Sequence, residues 1–240
     1  MIVNCTIVNN STLISPYTGG GGIACKYSSP MIVNCIISGN SSGRGGGIAG
    51  INSHPTIVNS IISDNSAMGK GGGLFLLYYS SSAISNCLIA GNKAAQGGGI
   101  HIDTSSPKLT NCTLTMNTKE AIRCVGKSNP VITNSIIWNN QRGIVTPRWG
   151  KSDRFQPNPV VSYSDVERGY TGIGNIDADP SFVNPGKGDF RLKADSPVID
   201  KGSNEAPDLP RTDLAGGSRI VGAVVDMGAY EYQGDPSSRQ

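Results

Sequence analysis

The chain is 240 residues long, with 32 glycines, only 15% charged residues, 6% aromatic residues and a formal net charge of +3. So weak a net charge, with so few aromatics, argues against a nucleic-acid surface, the predominance of β-forming aliphatics argues against a helical bundle, and no 18-residue apolar stretch exists to cross a membrane. The charge is divided along the chain: residues 1–150 hold ten Lys or Arg against three acids (Asp64, Asp103 and Glu120), whereas residues 151–240 hold ten against fourteen.

From its start the chain repeats itself. NCTIVNN from Asn4 returns as NCIISGN from Asn34, NSIISDN from Asn59, NCLIAGN from Asn86, NCTLTMN from Asn111 and NSIIWNN from Asn134, at intervals of 30, 25, 27, 25 and 23 residues. A period of this size marks a stacked repeat architecture. Each unit carries a second asparagine six further on: Asn10, Asn40, Asn65, Asn92, Asn117 and Asn140. Two residues before each first asparagine stands an aliphatic (Ile2, Ile32, Ile57, Ile84, Leu109, Ile132), and three residues after it another (Ile7, Ile37, Ile62, Ile89, Leu114, Ile137). Same-face residues of a strand are an even number apart, so these two positions cannot share one uninterrupted strand. A corner is expected between them at the asparagine, a residue that tolerates left-handed backbone, and stacked asparagines are expected to form ladders. A glycine run then closes on a third aliphatic: Ile23, Ile48, Leu74 and Ile100, decaying to EAI at Ile122 and RGI at Ile144. The glycines permit a tight bend. Each unit reads as three short strands and three corners, one rung of a single-stranded parallel β-helix.

Cys5, Cys35, Cys87 and Cys112 share parity with the buried aliphatic two further on, with Ser60 and Ser135 substituting, and Cys25 and Cys124 fall on the inward parity of the third strand. Cys5 with Cys35 and Cys87 with Cys112 would be adjacent-rung neighbours within bonding range. Side chains stacked in parallel suit a disulfide poorly, and free, buried thiols are expected.

The pattern continues faintly in NPVVSYSDV (158–166), with Tyr163 in the asparagine place, and in DSPVID (195–200), which brings the expected solenoid to about eight rungs. A longer loop is expected from Thr146 to Asn158. The chain thus divides into regular rungs over 1–145, a loop and degenerate rung over 146–174, and an irregular segment over 175–240 packed on the last rungs. MIVNCTI at residues 1–7 nearly repeats MIVNCII at 31–37, as if the chain began inside a rung. A solenoid end normally carries a polar cap, so an N-terminally truncated chain, part of a longer protein, is expected.

The rungs, with P-x-I-x-N-C-x-I-x-x-N and GGGI, resemble the right-handed parallel β-helix proteins of the pectin-lyase-like superfamily, and GGGI is similar to repeats of polymorphic outer-membrane proteins. NIDADPSF from Asn175, GDFRL from Gly188, SPVIDKG from Ser196, TDLAGGSR from Thr212 and VDMGAYEY from Val225 resemble the choice-of-anchor Q domain of exported bacterial proteins. The resemblance implies a secreted or surface-displayed bacterial protein, extracellular or at the cell surface in its full-length form, with the export signal expected in the part lost by truncation. Superfamily members include polysaccharide lyases, which use calcium-binding carboxylates and a basic residue, and glycoside hydrolases, which use carboxylate pairs.

A fold of this kind hosts many activities, so function must come from a site. Between Asp103 and Glu120 lie five positions along the strand and one rung, roughly 16 Å, too far for a hydrolase pair. One constellation remains. Outward positions of the third strand read Ala24, Ala49, Phe75, His101, Arg123 up the stack, with Asp103 two along from His101 and diagonal to Arg123. A base, a cation and a carboxylate beside Phe75 could serve a lyase or bind a sugar; the plainer reading is a solvated surface with a His stacked on an Arg. The loop residue His54 carries no role.

The tail acids Asp177, Asp179, Asp189, Asp195, Asp200, Asp213, Asp226 and Glu231 could bind calcium through oxygen, though their spacing matches no calcium loop, and Asp177, Asp200 and Asp226 read more simply as turn caps. No cofactor or metal site is otherwise indicated. The sequons at Asn4, Asn10, Asn40 and Asn111 fall on corner asparagines engaged in the ladders, which disfavours glycosylation. The sequence therefore reads as a non-catalytic surface, adhesive or carbohydrate-binding module with polysaccharide or cell-surface glycan as partner, the alternative being a polysaccharide lyase.

Overall fold

A computed structural model describes residues 1–12, 19–148 and 156–234. Most of the expected long loop, residues 149–155, lies outside the described residues. The architecture is an all-β parallel solenoid; among the described residues the only helical element is one 3-10 turn, Pro185–Lys187.

Two walls contain seven strands each and a third contains six. In the first wall Ile2, Ile32, Ile57, Ile84, Leu109, Ile132 and Val161 fall in register. In the second Ile7, Ile37, Ile62, Ile89, Leu114, Ile137 and Val166 do the same. With the third-wall residues Ile23, Ile48, Leu74, Ile100 and Ile122 they form one apolar core running up the axis. The six cysteines are free; Cys35, Cys87 and Cys112 lie in this core and Sγ of each donates to the backbone carbonyl two residues before it.

The expected eight rungs are not reached. NPVVSYSDV does supply a seventh strand to two walls, Val160–Ser162 and Asp165–Val166, with Tyr163 at φ 48° in the corner. DSPVID forms consecutive turns instead, because Val198 is drawn into a separate core on the outside of the solenoid.

The corners also differ from expectation. All six first asparagines adopt left-handed backbone, with φ between 48° and 54°. At the second corner the left-handed residue is the one before the second asparagine (Asn9, Gly39, Asp64, Gly91, Met116, Asn139). This turns Asn40, Asn65, Asn92, Asn117 and Asn140 inward, where they are buried. Each Nδ2 donates to a carbonyl of the rung below, and each Oδ1 accepts from the preceding asparagine's backbone N–H and Nδ2. Nor does every rung have three strands. Three middle rungs carry a fourth, Ser41–Arg44, Ser66–Lys70 and Lys93–Gln96, forming their own small sheet.

The tail begins with an antiparallel hairpin, Phe182–Asn184 with Asp189–Leu192. It lies on the outer face of the second wall, where Leu88, Ala90 and Ile136 meet Phe182, Phe190, Leu192, Val198 and Met227. Its acids serve its own turns: Asp177 accepts from Arg168 N, Asp226 from Asp200 N and Tyr232 N, and Asp213 from Gly217 N and Glu231 N. Among the described residues no group of three His, Cys, Asp or Glu is placed to hold a metal ion.

Asp165, in the last strand of the second wall, is fully buried. Oδ1 accepts from Ala178 N at 3.1 Å, and Oδ2 has no partner among the described residues. Burial first, and the nearby carboxylates of Asp177, Asp179 and Glu167, push its pKa up to about 7. The folded value lies above the unfolded one, so the folded chain binds a proton that the unfolded chain releases, and stability present at acid pH is lost as pH rises through 7. Asp165→Asn is expected to stabilise the protein by on the order of 2 kcal/mol at pH 8 and to change it little at pH 4. Thermal melts at both values measure this; an equal shift at both would contradict it.

Candidate functional site

The outward face of the third wall is partly roofed by the chain's own repeat. Where each glycine run begins, Gly45, Gly71 and Gly97 adopt φ of 62°, 68° and 61°, and the chain doubles back tightly: a Cβ on Gly97 would lie 2.9 Å from the Cβ of His101, and one on Gly45 2.9 Å from that of Ala49. Only glycine combines this backbone with so close an approach. The bend brings the fourth strands alongside the third wall. Ala49, Phe75 and His101 are consequently buried, at 1%, 1% and 0% exposure. The solvated surface expected at Phe75 and His101 is thus corrected. Strand parity aims a side chain away from the axis, but the neighbouring strand decides whether water reaches it.

The cross-rung order is as the register requires: Phe75 pairs with His101, and His101 with Arg123. The Phe75 and His101 rings are 5.6 Å apart. The Arg44 guanidinium lies 5.6 Å from the Phe75 ring centre, within cation–π range. Burial, followed by the charges of Lys70, Arg123 and Arg44, pulls the His101 pKa down to about 3. The imidazole is neutral at physiological pH. Neither ring nitrogen of His101 has a hydrogen-bond partner among the described residues, nor does Arg123 Nε.

Asp103 does not join this group. It accepts from the Thr104 hydroxyl at 3.1 Å and makes no ion pair with Arg123. The carboxylate at Arg123 is Glu120, whose Oε1 accepts from Arg123 Nη1 at 3.1 Å and from Arg142 Nη2. Glu120 is itself 1% exposed and its Oε2 accepts from Gly97 N at 2.7 Å. In the rungs below, the equivalent amides of Gly45 and Gly71 donate to the carbonyls of Lys70 and Gln96. Glu120 therefore substitutes for a backbone carbonyl where the fourth strand ends, and its charge is neutralised by two arginines.

Two openings lie on this face, one at Phe75 and one at Arg123. One, about 460 Å³, is lined by Lys26, Tyr27, Arg44, Phe75, Leu77 and Tyr78 among others. Tyr27 and Tyr78 take left-handed backbone just past the third-wall strands and are 74% and 52% exposed. Lys26 Nζ lies 5.6 Å from the Tyr27 ring centre. The other opening, about 280 Å³, is lined by Lys70, Gln96, Arg123, Val125, Pro147 and Arg148. Both openings are lined by cationic side chains, and the first is edged with aromatic rings.

Of the site residues read from sequence, the fold brings Phe75, His101 and Arg123 together and leaves Asp103 apart; His54 accepts from Ser81 N in its loop. Sequence reasoning missed Arg44, Lys70, Tyr27, Tyr78 and the role of Glu120. A signal existed. Arg44, Lys70 and Gln96 each stand directly before a run of three glycines, and Tyr27 and Tyr78 each stand four after the aliphatic that closes one.

Residues 21–181 match a protein-family model described as the right handed beta helix region. No curated protein matches the chain.

Proposed function

Since the chain belongs to the right-handed β-helix family, we propose that it is an exported, surface-displayed, non-catalytic module that binds glycan along the groove of its third wall. The observation that carries this reading is the pair of exposed rings, Tyr27 and Tyr78, held by corner backbone beside Lys26 and Arg44 over a rigid sheet. Tyrosine offers a large, stiff, amphipathic contact at low entropic cost. A repeated sheet fixes the spacing of such contacts without induced fit, which reduces the cost of binding an extended chain. Asn52, in the same opening, supplies a polar edge for sugar hydroxyls.

The purified protein is expected to bind members of a glycan array, and Tyr27→Ala with Tyr78→Ala to weaken that binding about tenfold or more, with unchanged circular dichroism. Undiminished binding by the double variant would remove the groove from the proposal. A rise in absorbance at 235 nm on incubation with acidic polysaccharides, with or without calcium, would replace the display module with a lyase.

A further inference from the structure

Three buried polar atoms on two facing residues have no partner among the described residues: Nδ1 and Nε2 of His101 and Nε of Arg123. Their residues are register partners on adjacent strands, about 4.8 Å apart. Buried polar atoms are paired in the great majority of native proteins, so the unpaired donors of this pair mark a position a ligand can complete.

The chemistry of that ligand follows from the donors around it. A neutral imidazole has one N–H to give, and the guanidinium Nε–H is a second donor. Glu120 occupies Arg123 Nη1 and leaves Nε open. Lys70, on the neighbouring small sheet, lines the same opening as Arg123 and Arg148. Lys70, Arg123 and Arg44 all bear electrostatically on His101. Glu120, the carboxylate paired with this group among the described residues, is already shared between two arginines. An acceptor with negative charge fits such a set, and charge-assisted bonds to it are the strong kind.

We propose that the opening between Lys70 and Arg123 is an oxyanion site that takes a single sulfate or carboxylate group, with Arg123 Nε as its inner donor, Lys70 and Arg148 on its lining and the His101 imidazole beside Arg123 as its register partner. Where the groove binds glycan, this site reads an acidic substituent on the chain; that extension rests on the reading above, whereas the oxyanion site itself does not.

The probe is sodium sulfate titrated into the full chain against sodium chloride at matched ionic strength, followed by the ring resonances of His101 and by thermal melting. Saturable shifts of the His101 ring and a rise in melting temperature specific to sulfate are expected. Lys70→Gln, which replaces a half-buried side chain on the lining, is expected to weaken the effect about tenfold, and Arg123→Gln to abolish it. Since Arg123→Gln also frees Glu120 and could unfold the rung, the Lys70 variant keeps the test decisive. Sulfate behaving as chloride does in the wild type, or Lys70→Gln binding sulfate undiminished, would overturn the site. Chondroitin sulfate, desulfated chondroitin and a neutral glucan then distinguish the sources. Dependence on sulfate assigns the ester, equal binding of both chondroitins assigns the carboxylate, and equal binding of all three overturns the acidic readout while leaving glycan binding intact. Sulfate binding with no glycan bound would retain the oxyanion site and remove the glycan reading.

Discussion

Asn92→Ala is expected to lower the stability of the solenoid by about 3–5 kcal/mol, while Asn59→Gly changes it by less than about 1 kcal/mol. Both are ladder asparagines, in adjacent repeats, so the contrast isolates their surroundings. Asn92 is fully buried. Its Nδ2 donates to Ile62 O at 2.9 Å and to Asn117 Oδ1 at 3.1 Å, and its Oδ1 accepts from Asn65 N at 3.0 Å and Asn65 Nδ2 at 3.1 Å. Alanine would leave the Asn65 backbone N–H buried without its acceptor, at a cost of about 1–3 kcal/mol, and would remove one bond each from the Ile62 carbonyl and the Asn65 and Asn117 side chains. Asn59 instead stands at a half-exposed corner with φ 48° and accepts one ladder bond from Asn86. Glycine retains the left-handed backbone there, and water replaces the lost bond. Urea-unfolding midpoints measure both. Equal shifts for the two variants would show that the inner ladder is not the structural spine.

Arg219→Ala is expected to detach the tail. The Arg219 side chain is buried at 1% exposure; Nη2 bonds Glu231 Oε2 at 2.7 Å, and Nη1 bonds Asn86 Oδ1, Gly228 O and Ala229 O at 3.0, 3.1 and 3.2 Å. One side chain thus ties residues far apart in sequence to the first-corner row of the solenoid. Removing it strands the Glu231 carboxylate, a loss of about 3–5 kcal/mol, whereas Arg219→Met with Glu231→Leu removes both charges and is expected to cost much less. Tail release would uncover Leu88 and Ile136. Limited trypsinolysis at Lys193 and Lys201, together with binding of a hydrophobic dye, reports it. A single variant as resistant as the wild type, or a double variant as labile as the single one, would refute the role given to this pair.

The walls were legible because the repeat is written into spacing. Ile32, Ile57, Ile84 and Leu109 hold the same place in successive units and meet the same neighbours one rung away, so parity alone predicts their inward direction. The left-handed corners at Asn34, Asn59 and Asn86 were legible for a similar reason, since a five-residue offset between inward aliphatics forces a break. The site was legible only in part. Register placed Phe75, His101 and Arg123 in one row, yet the burial of His101 depends on the Gly97 bend, and the carboxylate at Arg123 comes from Glu120 where a glycine run has decayed.

The sequence by itself determined the solenoid, its register, its inward faces and the free thiols, because each rung sees a near copy of itself at a fixed interval and local geometry is enough. The tertiary structure alone decided which outward faces stay dry. Leu88 and Ile136 point away from the axis and are covered by Phe182, Phe190 and Met227, and Asn86 meets Arg219 across 133 residues. Such contacts carry no period. They depend on a tail whose own turns are closed by Asp200, Asp213 and Asp226, and no spacing rule joins those aspartates to the wall they cover.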